Sequence, residues 1–241
     1  MCGRYALTLS PEILREFYDY VEQPNFPPRY NIAPTQPVPV VVQDSRVRHF
    51  RLMRWGFIPE WVKDPGAFPL LVNARSESLR YKPSFKTAIR HRRCIFMADA
   101  FYEWKRTGND KQPFMFRMKS GGPLPMAGLW ETYADPDGGE IDTVAVVTTN
   151  ANGLMAPIHD RMPVILGEEG IKRWLATGVY SVKEALAEAK ACPDDWLNMT
   201  PVSKRINSAR EDDADLQVPV ELKKELLGPK KNEGPVQGSL F

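Results

Sequence analysis

Directly after Met1 the sequence reads Cys2-Gly3-Arg4-Tyr5-Ala6-Leu7-Thr8, whose β-compatible residues predict a strand from Gly3 to Thr8. Such a strand would hold the N-terminus inside a sheet. If Met1 is removed, Cys2 carries an α-amine and a thiol on adjacent carbons, with ordinary pKa values of roughly 8 and 8.5. A 1,2-aminothiol condenses with an aldehyde, first as an imine and then as a thiazolidine ring, which an internal cysteine cannot do. The alternative is that Cys2 has no function and is an incidental small residue at a frayed terminus.

The composition is that of a soluble protein. With 241 residues, of which 43% are hydrophobic and 26% charged, the chain can form one large or two small domains with ample core. It contains no run of about 18 apolar residues and no secretory signal, so we expect no membrane span and a cytoplasmic location. Three scattered cysteines predict neither a disulfide scaffold nor a zinc site and agree with a reducing compartment. The net charge of +2 does not by itself indicate nucleic-acid binding.

Most of the chain is predicted to form short strands. Apolar segments between turn signals predict strands at 38–42, 47–55, 94–98, 114–118, 126–133, 141–149, 164–166 and 197–202, with a hairpin turn at 135–139. Helical patterns cover 11–20, 83–90, 168–176 and 182–189, the first capped by Ser10 and the last by Ser181. Six prolines between residues 24 and 39 exclude a helix and predict a rigid extended loop around Arg29–Pro34. A rigid loop of this length is more often functional than a plain connector.

Three polar side chains are candidates for chemistry. Asn73 and Arg75 precede Ser76, which is predicted to cap a short helix and would leave them at a strand-to-helix junction that faces a ligand. Glu103 lies among Phe101, Tyr102 and Trp104, so burial would raise its pKa and suit it to acid–base catalysis; the alternative is a strand residue facing water. His159 lies in a polar segment and can move protons near neutral pH, or it is structural.

Two tryptophans lie on an irregular segment that Gly56 and Pro59 interrupt. Trp55 and Trp61 are large enough to be core residues, and for one of them the core is the expected place. Tryptophans on a loop beside arginines can instead form a stacking platform for unpaired bases.

Six motifs, taken in their order along the chain, resemble the SOS-response-associated peptidase (SRAP) family, whose members shield abasic sites in single-stranded DNA. The resemblance extends from Cys2 to about residue 210. No single motif is specific, but six in order are. They are Cys2-Gly3-Arg4-Tyr5, Arg29-Tyr30-Asn31-Ile32-Ala33-Pro34, Trp55-Gly56, Asn73-Ala74-Arg75-Ser76-Glu77, Phe101-Tyr102-Glu103-Trp104 and His159-Asp160-Arg161-Met162-Pro163.

The resemblance implies an α+β fold with a strongly bent, barrel-like, mostly antiparallel β-sheet flanked by short helices, in one domain over residues 1–222. It implies self-removal of Met1 by a self-processing peptidase activity, and a thiazolidine bond from Cys2 to the abasic-site aldehyde, without a cofactor or metal. By position, Asn73 would orient Cys2 and the sugar, while Glu103 and His159 would transfer protons. The DNA contacts it implies are phosphate contacts of Arg4, Arg75 and Arg161, stacking on Trp61 and Trp55, and a contact of Thr149.

The last residues carry a separate hypothesis. From about Lys223 the chain is polar and rich in Gly, Pro and Lys, so we expect residues 223–241 to be disordered. The end resembles the short peptide with which bacterial DNA-repair proteins dock on the sliding clamp, through Gln237, Ser239, Leu240 and Phe241. The alternative is a tail without a function, because such short motifs also arise by chance.

Two rival functions remain open. One is a true cysteine peptidase or amidohydrolase, with Cys2 as an N-terminal nucleophile and His159 or Glu103 as its base. The other is a non-covalent single-strand binder, in which Cys2 would be dispensable. Nicking of the abasic strand by a lyase reaction through the amine is a side reaction of the covalent mechanism. We expect a monomer that acts on DNA in the bacterial cytoplasm, near the nucleoid.

Overall fold

The described part of the chain contains twelve short strands and four α-helices. The structure is a computed structural model that describes residues 2–108, 110–135 and 138–222. The strands are β1 (Tyr5–Leu7), β2 (Arg29–Ile32), β3 (Pro37–Asp44), β4 (Val47–Trp55), β5 (Asn73–Arg75), β6 (Arg93–Phe96), β7 (Ala100–Thr107), β8 (Asp110–Met118), β9 (Met126–Ala134), β10 (Glu140–Asn150), β11 (Arg161–Pro163) and β12 (Leu197–Pro201). The helices are α1 (Pro11–Tyr18), α2 (Ala88–His91), α3 (Glu168–Leu175) and α4 (Val182–Ala187), and short 3₁₀ turns lie at 76–78, 194–196, 204–207 and 214–217.

The strands form a closed barrel and a second sheet. In the barrel the order β10-β4-β3-β6-β9 closes because β9 also pairs with β10. All of these pairs are antiparallel except β4 with β10, and β5 and β11 extend the barrel beside β10. The second sheet has the order β12-β8-β7-β1-β2 and is antiparallel throughout. This architecture confirms the expected α+β fold with a bent, barrel-like, mostly antiparallel sheet.

An aromatic cluster joins the second sheet to the barrel and thereby fixes the N-terminal strand. Tyr5 of β1 packs edge-on against Trp55 and Phe96, with ring centroids 5.5 and 6.1 Å away. All three rings are fully buried. The burial of rings of this size contributes several kcal/mol. The strand that follows Cys2 is therefore part of the core, and the frayed terminus considered above is wrong.

Several predicted elements have different limits in the structure. α1 begins after its Ser10 cap as expected but ends at Tyr18, because Asp19 is left-handed with φ 55°. The loop around Arg29–Pro34 contains the paired strand β2. Residues 83–87 form turns, so the helix expected at 83–90 is confined to α2. Ser76 is not a cap, since the 3₁₀ turn at 76–78 has Arg75 in the capping position and no side-chain cap bond.

The segment expected as a strand at 164–166 also differs. The strand that forms here is β11, which begins three residues earlier. It pairs with the end of β10, where Pro163 lies opposite Thr148. Val164 and Leu166 still donate backbone hydrogen bonds, to Val147 and Pro125, so the chain passes from β10 toward the start of β9. Among the described residues, no helix is long and apolar enough to cross a membrane.

Candidate functional site

Cys2 lies three residues before β1 and next to β5 and β7. Its side chain is fully buried, and its carbonyl oxygen accepts a hydrogen bond of 2.9 Å from Asn73 Nδ2 on β5. Tyr5 lies opposite Phe101, and the Arg4 carbonyl accepts from the Tyr102 amide at 3.0 Å. Continued toward the N-terminus, the same antiparallel register places Gly3 opposite Glu103 and Cys2 opposite Trp104, so Cys2 lies next to Glu103.

Glu103 is a buried carboxyl group, with 3% of its surface exposed. Its burial raises its pKa above the ordinary value, although the N-terminal ammonium and His159 act in the opposite direction. Burial likewise raises the pKa of the Cys2 thiol, and the negative charge of Glu103 raises it further. The alternative in which Glu103 faces water is therefore wrong. A carboxyl with a raised pKa can hold a proton at a pH where an exposed one has lost it.

His159 faces the same cleft as Glu103. The cleft has a volume of about 370 Å³, and its lining consists of Glu103, Trp104, Arg106, Lys111, His159 and Asn207. The Arg161 amide donates to His159 Nδ1 at 2.9 Å, and the carboxylate of the exposed Asp160 lies 3.0 Å from the same nitrogen. Two groups able to transfer protons thus line one small polar space.

Asn73 presents an acceptor that the described residues do not use. Its Nδ2 binds the Cys2 carbonyl, but its buried Oδ1 has no hydrogen-bond partner within the part of the chain that the structure describes. Buried polar atoms nearly always have a partner, because an unmade hydrogen bond costs about 1–3 kcal/mol. The free Oδ1 therefore favours a donor supplied by a ligand or by a mature N-terminus at Cys2.

Two of the residues expected to contact DNA face solvent. Arg75, at the end of β5, is exposed, and its side chain has no ion-pair partner among residues 2–108, 110–135 and 138–222. Trp61 is 58% exposed and packs edge-on against Phe68 with ring centroids 5.6 Å apart. A braced, exposed indole can stack on a base, and an unpaired guanidinium can bind a phosphate.

Arg161, which was expected to contact phosphate, has another place in the structure. Its side chain is 10% exposed and forms a double ion pair with Glu77, at 2.6 and 3.0 Å. It also donates to Asn150 Oδ1 and to the Thr148 carbonyl. These contacts connect the end of β10 with the turn after β5, and the same hydrogen bonding lowers the pKa of Glu77. Arg161 braces the segment beside His159 and leaves little of its guanidinium for a phosphate.

Three further residues expected to contact DNA are also committed to protein contacts. Trp55 is fully buried in the aromatic cluster, and its Nε1 donates to the Val72 carbonyl at 3.0 Å. Thr149 is 8% exposed within β10. The Arg4 guanidinium donates to Asn31 Oδ1 and to the carbonyls of residues 206 and 207, at 2.7, 2.7 and 3.1 Å. One of the two tryptophans was expected in the core, and Trp55 is that one. Sequence reasoning missed the role of Arg4, because it cannot tell which side chains have acceptors far along the chain.

The motif around Arg29–Pro34 orders a cleft wall. Asn31 is fully buried, and its Nδ2 donates to the carbonyls of Ser208 and Glu211 at 2.9 and 2.8 Å. Asp212 accepts from the backbone amides of residues 30 and 31. These contacts hold the segment at 204–212, whose Asn207 accepts from the Trp104 indole at 2.7 Å.

Sequence reasoning did not single out Asn207, Arg106 or Lys111 as residues of the cleft. The available signal was the alternation along 103–106, which places Trp104 and Arg106 on one face of a strand. The residues expected to bind a sliding clamp, Gln237, Ser239, Leu240 and Phe241, lie outside the described residues.

Comparisons with known proteins agree with these motifs. Residues 1–209 match the family described as SOS response associated peptidase (SRAP). The abasic site processing protein YoqW of Bacillus subtilis is 40% identical over 185 residues, which covers 73% of this chain and 80% of that protein. The abasic site processing protein YedK of Escherichia coli is 31% identical over 229 residues and covers 91% and 100% of the two chains. A crystal structure of a Bacteroides thetaiotaomicron protein has the same fold, with a TM-score of 0.83, 23% identity and coverage of 91% and 100%.

Proposed function

We propose, from the premise that this chain belongs to the SOS response associated peptidase family, that it processes abasic sites in single-stranded DNA by a covalent bond to Cys2. The observation that carries the proposal is the position of Cys2, held by Asn73 and adjoining the cleft of Glu103 and His159. The names of its relatives, abasic site processing proteins, support the same substrate.

The reaction starts when Met1 is removed and the Cys2 amine becomes free. The amine adds to the open-ring aldehyde of the abasic sugar, and the carbinolamine loses its hydroxyl as water to give an imine. The Cys2 sulfur then adds to the imine carbon, the thiol proton is transferred to the nitrogen, and a five-membered thiazolidine closes. The sum is aldehyde plus aminothiol giving thiazolidine plus one water, without an oxidant or a metal.

The side chains around Cys2 have matching roles in this sequence. Glu103, whose raised pKa lets it carry a proton, protonates the departing hydroxyl and then accepts the thiol proton. His159 lines the same cleft and relays protons to and from the sugar oxygens. Asn73 orients the Cys2 backbone through Nδ2 and offers its free Oδ1 to the new amine.

The substrate is held by exposed groups on the neighbouring elements. Arg75 binds a phosphate of the strand, and Trp61 stacks on an adjacent base. An abasic nucleotide lacks the base that would fill the cleft, so a small polar space beside the nucleophile favours this lesion over an intact nucleotide.

The pKa of Cys2 speaks against the peptidase alternative. A cysteine peptidase needs a thiolate, which a lowered thiol pKa provides. Here burial and then the charge of Glu103 raise the pKa of the Cys2 thiol. Thiazolidine closure does not need a standing thiolate, because the imine carbon is a strong electrophile and Glu103 can take the proton as the sulfur adds. Multiple turnovers on a peptide library would instead support the peptidase.

Intact-mass spectrometry of the purified protein, with and without an abasic oligonucleotide, tests the proposal. The expected masses show loss of Met1 and a complex equal to protein plus oligonucleotide minus one water, stable to denaturation without a reductant. Cys2→Ser keeps the amine, so it should give an imine that persists only after borohydride reduction. A glycine inserted between Met1 and Cys2 keeps the thiol but separates it from the free amine, and should abolish the stable complex.

The matched control is Cys192→Ala, which removes another buried thiol outside the cleft and should react like the wild-type protein. An undiminished yield of reductant-independent complex from the Cys2→Ser or the inserted-glycine protein would contradict the thiazolidine. Binding without any covalent complex in the wild-type protein would leave the non-covalent binder as the function.

The domain limits and the clamp partner are further parts of the proposal. Residues 1–222 form the single reactive domain, and residues 223–241 connect it to a bacterial sliding clamp through the Gln237-Gly238-Ser239-Leu240-Phe241 end. Such a link would concentrate the protein at replicated DNA. Full-length protein should be recovered on immobilised clamp, and a version ending at Val236 should not. Equal recovery of the two would exclude the docking peptide.

A further inference from the structure

The β7–β8 hairpin presents a pair of cations beside the reactive cleft. Arg106 on β7 lies directly opposite Lys111 on β8, and both side chains are exposed. Like charges directly opposite each other destabilise an antiparallel pair. Within the described ranges, neither side chain takes part in an ion pair. A bound anion would relieve the repulsion.

The surrounding basic residues are in a different situation. Lys204 is paired with Asp110, at the start of β8, and Arg205 is paired with Glu211 and Asp213. Those charges are neutralised within the protein. The pair of Arg106 and Lys111 therefore contributes uncompensated positive charge to the cleft wall.

The cation pair is continuous with the reactive groups. Arg106 and Lys111 line the same cleft as Glu103 and His159. Trp104 lies between Glu103 and Arg106 along β7, on the same face as Arg106, and its indole is fixed by the hydrogen bond to Asn207. Residues two apart on a strand share a face and are about 7 Å apart, so Trp104 and Arg106 lie side by side with Lys111 across the hairpin, while Glu103, on the other face of β7, lines the same cleft.

We propose that Arg106 and Lys111 bind backbone phosphates of the DNA flank that leaves the cleft along the β7–β8 hairpin. The opposite flank passes Arg75, which lies two residues after Asn73 on β5. The abasic nucleotide lies between these two contacts, beside Cys2. This inference rests on the proposed function, since it assigns one flank of the same substrate.

The salt dependence of binding tests the phosphate contacts. The probe is a single-stranded oligonucleotide with a central tetrahydrofuran, an abasic analogue without an aldehyde, so no covalent step is involved. Each phosphate contact on a single strand contributes about 0.7 to the slope of log affinity against log salt, so Arg106→Gln with Lys111→Gln should reduce the slope by about 1.4. Exchange of the two residues, Arg106→Lys with Lys111→Arg, should preserve it.

The matched control removes the same charge elsewhere. Lys183 and Lys190 are exposed and do not line the cleft, so Lys183→Gln with Lys190→Gln should leave the slope unchanged. If the double hairpin variant fails to fold, Arg106→Gln alone should reduce the slope by about 0.7. An unchanged slope in a folded hairpin variant, or an equal reduction in the control, would overturn the inference. It would leave the covalent reaction untouched, because that is measured separately by intact mass.

A second measurement tests the assignment to one flank. Two oligonucleotides carry the tetrahydrofuran at the 5′ or at the 3′ end, so that each has a single flank. The double hairpin variant should weaken binding of one of them, and Arg75→Gln should weaken binding of the other. Equal weakening of both by the hairpin variant would exclude a flank-specific contact.

Discussion

Replacement of Asn31 by alanine should destabilise the protein by about 3 kcal/mol, although Asn31 does not line the cleft. Its side chain donates to the carbonyls of Ser208 and Glu211 and accepts from Arg4 at 2.7 Å, and it is fully buried. Each of these three hydrogen bonds contributes about 1 kcal/mol, and alanine offers none of them. A longer contact of 3.3 Å from Asn31 Nδ2 to the Ile206 carbonyl is left out of the sum, because that carbonyl keeps its hydrogen bond from Arg4.

Urea unfolding of Asn31→Ala measures the loss, with Asn198→Ala as its control. Asn198 is exposed on β12 and forms no side-chain hydrogen bond within the described residues, so its replacement should change the free energy of unfolding by less than about 0.5 kcal/mol. Trypsin should also cut Asn31→Ala faster at Lys204 and Arg205, because the segment they belong to is no longer held. A loss below 1 kcal/mol, with unchanged cleavage, would refute the reasoning.

Three other predictions concern the cleft and its surroundings. Burial raises the pKa of Glu103, so ionisation of its carboxyl group opposes folding above that pKa, and this penalty disappears once the pH falls below the pKa of the carboxyl group in the unfolded chain. Glu103→Gln should therefore raise the free energy of unfolding at pH 8, and this gain should vanish near pH 4. An equal gain at both pH values would contradict the burial argument. Trp61→Ala should weaken single-strand binding by about 1–3 kcal/mol in a fluorescence anisotropy titration, and unchanged affinity would exclude stacking. Arg161→Gln should lower stability by about 1–2 kcal/mol, mainly through the lost hydrogen bonds to Asn150 and the Thr148 carbonyl because the Glu77 partner is half exposed, and should leave the salt slope of DNA binding unaltered. A lower slope would restore a phosphate contact to Arg161.

The sequence predicted the strands well because their signals are local. Apolar alternation and turn residues predicted segments for β3, β4 and β10 within a few residues of their observed limits, and Ser10 and Ser181 were correctly identified as caps. The closure of the barrel was not derivable from local patterns, since it depends on β9 pairing with both β6 and β10. That feature came from the family resemblance.

For the site, the sequence identified the reactive residues better than the DNA contacts. Cys2, Asn73 and Glu103 do lie together, and their proposed roles remain to be tested. The arginines were harder to assign, because a guanidinium near a site can bind phosphate or brace the protein. Arg161 braces it through Glu77, 84 residues earlier in the chain, and only the tertiary structure reveals that partner.

The contact between Arg4 and the Ile206 carbonyl joins residues that are 202 positions apart. At a synthesis rate of about 5–20 residues per second, the N-terminus leaves the ribosome roughly 10–40 s before its partner segment is made. During that interval the nascent chain has its N-terminal strand but not the segment at 204–212 that forms the wall beside it. The wall of the cleft at 204–212 is thus completed only in about the last seventh of translation, and until then Arg4 and Asn31 lack their contacts with that segment.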